Sequence, residues 1–200
     1  EATKSCYPFS FTYRVIYELD GEVLRVIYLV MNQGEETMYF GIGGHPGIAV
    51  PVGGSENGKE LKFEDYYLEF SKVTPVRQLI LTDACFMTDE TKPFPLEGGT
   101  VYRLHHDMFD HDAIFLTDVA PSVTLKSDKT SRAVTVSYDN MPTLGLWHAP
   151  KTDAPYLCIE PWNGLPSDDG IVDDMATKKH MIRLAPAKTE HFGIDITIHA

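Results

Sequence analysis

Cysteine is scarce in this chain. There are three in 200 residues, Cys6, Cys85 and Cys158. An odd number at wide spacing, with no C-x-x-C, excludes a disulfide framework and a zinc ribbon. Cys158 sits in an apolar run and reads as a buried thiol, which fits a reducing, cytoplasmic setting. Positive charge is also short: 17 Lys and Arg stand against 29 Asp and Glu, for a net charge of −12. That argues against nucleic acid, whose affinity comes largely from cations on phosphates, and weakly against anionic membranes. The arginines (Arg14, Arg25, Arg77, Arg103, Arg132 and Arg183) never lie close together in sequence, so no arginine cluster for a phosphate is visible. No stretch approaches the roughly 18 apolar residues of a membrane span. The opening "EATKSCYPF" has no basic segment followed by an apolar one, so no signal peptide is read there. It begins on Glu1 rather than Met, and a processed, truncated or partial start is expected. There is no G-x-G-x-x-G after a strand and no P-loop. There is no G-x-S-x-G either. Helical periodicity is nearly missing too: only "GIVDDMATKK" (170–179) could form a helix, and a short one.

What is there has a period of two. In "FSFTYRVIYEL" (9–19), Phe9, Phe11, Tyr13, Val15 and Tyr17 share one face. Asp20-Gly21 is a two-residue hairpin signal, and "EVLRVIYLVMN" (22–32) returns from it. "TMYFGI" (37–42) extends the meander. Further strands are expected in "DYYLEF" (65–70), "QLIL" (78–81), "TVYRL" (100–104), "AIFLTD" (113–118), "SVTLKS" (122–127) and "AVTVSYD" (133–139). "TLGLWHA" (143–149), "APYLCIE" (154–160), "KHMIRLAP" (179–186) and "EHFGIDITIHA" (190–200) complete the set. Many short strands with regular turns predict an all-β sandwich or barrel. No linker divides it, so residues 1–200 read as one domain.

Two segments share a design. "FGIGGHPGIAVP" (40–51) runs a strand into Gly43-Gly44, then His45 and Pro46. "YLCIEPWNGLPSD" (156–168) runs a strand into Glu160, then Pro161, Trp162 and Gly164. Pro161 cannot donate to a ladder and is expected to close its strand. The plain readings are a turn histidine bonded to backbone or water, and a solvated strand-end glutamate. The sharper reading is an acid/base pair converging at a pocket mouth, each member contributing about 10²- to 10⁴-fold in rate. "HHDMFDHDAIF" (105–115) invites a metal, but His105 and His106 are neighbours on an extended chain and point apart. No metal is expected. Asp112, at the mouth of the next strand, is placed to accept hydrogen bonds from a polyol. Trp162 reads as a pocket residue that could stack on a sugar, and Trp147, inside an apolar strand, as core.

"YPFSFTYRVIYELDGEVLRVIYLVMN", "GGHPGIAVP", "MFDHDAIF", "LGLWHAP" and "YLCIEPWNGLPSD" together resemble the galactose mutarotase-like aldose 1-epimerases, in family order and over nearly the whole chain. The resemblance implies a large antiparallel β-sandwich, here without its N-terminal strands. It implies a free hexose such as galactose as substrate, with no cofactor. It implies His45 as the general acid on the ring oxygen and Glu160 as the general base on the anomeric hydroxyl. It implies Asp112 as a ligand of sugar hydroxyls, with Asp110 near enough to compete. Family chains run longer at the N-terminus and bring an arginine and a further histidine to the sugar from there. After His-Pro the family often has a small residue and then an aromatic; Gly47 and Ile48 stand here. A second class stays open: a sugar-binding or regulatory module on the same fold. Exposed sheet edges of an incomplete sandwich invite association, which leaves a homodimer open.

Overall fold

The computed structural model describes residues 3–54 and 60–200. Two antiparallel sheets carry the chain. The first orders β1 (Phe11–Asp20), β2 (Val23–Asn32), β16 (Thr189–His199), β12 (Ala133–Asp139), β11 (Ser122–Lys126), β6 (Tyr67–Phe70) and β9 (Val101–Arg103). The second orders β4 (Ile42–Gly43), β14 (Tyr156–Asn163), β13 (Thr143–Trp147), β10 (Ile114–Thr117), β7 (Arg77–Leu81) and β8 (Met87–Pro93), with β5 (Gly47–Ala49) also paired to β14. A small third sheet joins β3 (Met38–Phe40) to β15 (Ile182–Leu184). The helical content among the described residues is two 3₁₀ turns, Phe63–Asp65 and His106–Phe109.

The period of two does what it predicts. Val123 and Leu125, Val134 and Val136, and Phe192 and Ile194 of the first sheet are buried in one cluster. Ile114 and Leu116, Leu144 and Leu146, and Leu157 and Ile159 of the second sheet meet them there. This is a sandwich core. The alternate residues of the second sheet face the other way. Leu79, Met87, Phe115 and Leu165 form a separate, smaller cluster there, with Trp162 packed against it.

Three sequence expectations and one omission need correcting. Residues 170–179 are not a helix: they run as extended and turn backbone around a turn at 175–177. Asp-Asp and Gly-Ile-Val supply no stripe that would repay helix nucleation. β1 does not bury a face along its length, and Tyr13, Val15, Ile16, Tyr17 and Leu19 are exposed. Among the described residues it pairs only with β2, as the edge strand of its sheet. β8, "MTDETKP", was too polar to be read as a strand; backbone pairing to β7 holds it, and Met87 at its start is buried in the smaller cluster.

The fourth correction concerns Pro161, which does not end its strand. β14 continues through it to Asn163. Its carbonyl accepts from the Gly44 amide at 3.1 Å, while the Ile159 amide donates to the Pro46 carbonyl at 3.2 Å. Polar groups of alternate residues leave a strand on the same side, so the proline nitrogen faces the break between β4 and β5. No ladder bond is required of it at that point, and the proline is tolerated.

Candidate active site

The same two hydrogen bonds define the site. Gly44 and Pro46 are each pinned to β14, one on either side of Glu160, and His45 is the residue between them. Its Nε2 lies 3.1 Å from Oε1 of Glu160. The histidine side chain is 56% exposed and the glutamate side chain 3%. The expected pairing of His45 with Glu160 is thus present in the geometry. The solvated strand-end reading of Glu160 is not, because this carboxylate is buried.

Glycines make the room. A Cβ on Gly44 would stand 2.3 Å from Cδ1 of Ile194 and 2.8 Å from the Tyr28 hydroxyl. The His45 turn therefore packs down onto the first sheet with nothing to spare. Gly145 is Glu160's partner across β13 and β14. A Cβ there would lie 3.3 Å from Cβ and 3.4 Å from Oε2 of Glu160. The glutamate side chain fills the space this glycine leaves.

The electrostatics are those of a carboxylate held against its preference. Burial pushes the Glu160 carboxyl above the ordinary glutamate value, while His45 and the Trp162 indole pull it back and the charge of Asp112 pushes further up. Among the described residues Oε1 accepts no hydrogen bond, despite lying 3.1 Å from the His45 ring. The ring sits at ion-pair distance but is not aimed for a hydrogen bond. That leaves a buried acceptor without a donor.

Asp112 joins the group through a tryptophan. Its Oδ1 accepts from Trp147 Nε1 at 2.8 Å and from its own neighbour's amide, Ala113, at 2.9 Å. Its backbone is left-handed, at φ 77°, a conformation aspartate tolerates better than most residues. Asp110, the competing candidate, caps the 3₁₀ turn with its amide bonded to the Asp107 carbonyl and has no such link to Trp147. Trp147 itself is a correction. It is not core: its side chain lies on the outer face with Glu160, edge-to-face with His45 at 5.8 Å between ring centroids. β13 alternates, so Leu144 and Leu146 took the inner face and Trp147 the outer one. The pocket reading of Trp162 fits its place. It lines a cleft of about 560 Å³ with Gly43, His45 and Leu165, and packs edge-to-face on Phe115 at 5.1 Å. Phe115 and Asp112 line an adjoining cleft of about 650 Å³.

Two neighbours of the dyad were not read as such in the sequence. Gly145 had a signal, since a lone glycine inside an alternating strand marks a close approach. Cys158 had one as well. It stands two residues before Glu160, hence on the same face, and its thiol is buried beside the dyad and pushed up to about 11, mainly by burial and then by the Glu160 charge. The metal-like run 105–112 does not converge. His105 bonds Asp107, and His106 turns inward to His148 at 3.1 Å.

Comparison with known proteins identifies the family. The family model for aldose 1-epimerase matches residues 1–183. Protein LacX (chromosomal) of Lactococcus lactis subsp. lactis is 34% identical over 96% of this chain and 63% of its own length. A galactose mutarotase related enzyme from Lactobacillus acidophilus superposes with a TM-score of 0.88 at 32% identity, over 100% of this chain and 65% of that one. A galactose mutarotase-like protein from Lactobacillus casei ATCC 334 gives 0.86 at 26% identity, over 99% and 66%. The chain belongs to the aldose 1-epimerase family. It spans a little under two thirds of the length of the first two of these relatives.

Proposed function

We propose that this chain carries the acid/base centre of an aldose 1-epimerase that exchanges the anomers of a free hexose. Glu160 takes the proton of the anomeric hydroxyl. His45, in its protonated form, gives a proton to the ring oxygen. The bond between the anomeric carbon and the ring oxygen breaks, and the open-chain aldehyde forms. Rotation about the adjacent carbon–carbon bond presents the other carbonyl face. In closure the ring hydroxyl returns its proton to His45, and Glu160 protonates the new anomeric oxygen. Charge and atoms balance within the dyad, and no cofactor enters. Asp112 accepts hydrogen bonds from sugar hydroxyls, and the Trp162 face borders the ring.

The observation that carries this reading is the buried, hydrogen-bond-free Oε1 of Glu160 beside an exposed imidazole. A carboxyl raised toward working pH is a better base than an ordinary one. The reading fits a protein of a reducing, cytoplasmic setting. Among the described residues no helix is long and apolar enough to cross a membrane.

The test is anomer exchange followed by NMR from α-glucose and α-galactose, on this chain and on Glu160→Gln. Acceleration that falls by about 10²-fold or more in the variant supports the reading. Sugar binding without acceleration in the parent would refute it and favour the sugar-binding module.

A further inference from the structure

The dyad has a third member that acid/base chemistry does not use. Cys158 and Glu160 stand two apart on one strand face, and His45 approaches from the β4–β5 turn. One ligand atom from each, an imidazole nitrogen, the Cys158 Sγ and a Glu160 oxygen, all lie within 4.8 Å of one another. Among the described residues this is the one grouping of three such side chains. Two of its members are buried, Cys158 at 4% and Glu160 at 2% exposure.

We propose that His45, Cys158 and Glu160 together bind a zinc-class divalent cation, and that the ion competes there with sugar. The ion-binding half stands on geometry alone; the competition half rests on the function proposed above.

The donor set selects the metal. Thiolate, imidazole and one carboxylate suit zinc, cobalt or copper, whereas calcium and magnesium require shells of oxygen. Zinc takes sulfur at about 2.3 Å, nitrogen at about 2.0–2.1 Å and oxygen at about 2.0–2.2 Å. A tetrahedral ion with those bonds spaces its ligand atoms about 3.3–3.6 Å apart. His45 Nε2 and Glu160 Oε1 are already 3.1 Å apart. The three ligand atoms, all within 4.8 Å of one another, close up by at most about 1.5 Å to reach that spacing. Three protein ligands leave a fourth position open, as in zinc sites that hold water or substrate, and His45, one of the three, also lines the cleft beside Trp162.

A second observation points the same way. Oε1 of Glu160 is a buried acceptor with no donor, and a cation satisfies it as directly as a hydroxyl does. On binding, the thiol proton leaves to solvent, since a coordinated thiol is deprotonated. The cost that burial imposes on an anionic Cys158 is then met by the ion's own charge.

Cobalt(II) is the probe, because a thiolate ligand gives it a near-ultraviolet charge-transfer band and tetrahedral coordination gives intense visible bands. The titration uses the chain with Cys6→Ser and Cys85→Ser, both of which replace exposed thiols. Expected are one equivalent of cobalt, both sets of bands, and their loss on adding one equivalent of zinc. Cys158→Ser removes the charge-transfer band, and Glu160→Gln weakens cobalt binding at least tenfold. Absence of the charge-transfer band in the Cys158-containing protein at excess cobalt overturns the proposal without recourse to any site variant. Glucose or galactose raises the apparent zinc dissociation constant if the sugar shares the site. Intact cobalt bands unmoved by either sugar sustain the metal site and overturn the competition, and they count against the sugar reading itself.

Discussion

Gly145→Ala removes no functional group and still acts on the proposed base. The added methyl would stand 3.3 Å from Cβ, 3.4 Å from Oε2 and 3.6 Å from Cδ of Glu160. Carbon atoms pack best at about 3.5–4.0 Å, so something must yield by a few tenths of an ångström. The backbone has little freedom to yield. Gly145 pairs with Phe115 on one side and Glu160 on the other, and its neighbours Leu144 and Leu146 are fully buried. The movement therefore falls on the Glu160 side chain. Its φ lies outside the left-handed region, so alanine meets no backbone penalty and gains about 0.5–1 kcal/mol over glycine in a strand. That gain and the contact strain are of similar size, and stability should change by less than about 1 kcal/mol. A misplacement of 1 Å can cost about 10² in rate, so a shift of a few tenths should cost about 3- to 10-fold. That is about 0.7–1.4 kcal/mol of transition-state free energy. Anomer exchange at saturating sugar measures the rate, and thermal unfolding of the same samples measures stability. Unchanged turnover in the alanine variant would refute the argument. So would a rate loss accompanied by several kcal/mol of destabilisation, which would mean that the strand had moved and not the base.

Three further outcomes follow from named contacts. Glu160 is held above its ordinary value, so the stability it allows is complete below the unfolded-state value of about 4.3 and is lost as pH rises through the folded value. Glu160→Gln should therefore melt higher than the parent at pH 7 and converge with it below about pH 4, read by thermal unfolding across pH; a variant that melts lower at pH 7 contradicts this. Trp147→Phe removes the 2.8 Å indole bond to Asp112 and should raise the KM for sugar several-fold with a smaller change in turnover, as steady-state anomer exchange would show. Asn32 is 1% exposed; its amide donates to the carbonyls of Glu36 and Leu184, and its oxygen accepts from the Gly34 amide. Asn32→Ala should cost about 1–3 kcal/mol, since the buried Leu184 carbonyl is left unpaired, seen as a lower urea midpoint at unchanged slope.

The sandwich was legible because its strands alternate. Runs such as 122–127 and 133–139 declare an inner and an outer face without help from the rest of the chain. β8 went unread because its order comes from backbone pairing, which leaves no trace in side-chain periodicity, whereas β1 was read as a strand and only its exposure was missed, since alternation does not tell an edge strand from a central one. At the site, His45 and Glu160 were visible as ionisable residues set among glycine and proline. Trp162 was read to the pocket, but the place of Trp147 was not legible, because its run, "TLGLWHA", is apolar on both of its alternating faces and does not declare which is the outer one. Glu160's burial was hidden as well. Pro161 suggested a strand end, and the sequence held no sign that the partner strand would break opposite it and let β14 continue.

That break is what joins fold to chemistry. A continuous partner strand would pair with β14 along its length and leave no turn beside Glu160. Because β4 stops at Gly43 and β5 starts at Gly47, the chain between them lifts away, and Pro161 meets that gap with the one residue that has no amide to leave unpaired. The lifted turn carries His45 over the carboxylate, tied on both flanks by single hydrogen bonds. A buried acceptor without a donor costs about 1–3 kcal/mol, a noticeable share of a total stability of about 5–15 kcal/mol. The fold bears that cost at Oε1 of Glu160, and whatever binds there recovers it. A sugar hydroxyl recovers it by donating a hydrogen bond, and a zinc-class ion by coordination, which is why one carboxylate oxygen underlies both readings of this site.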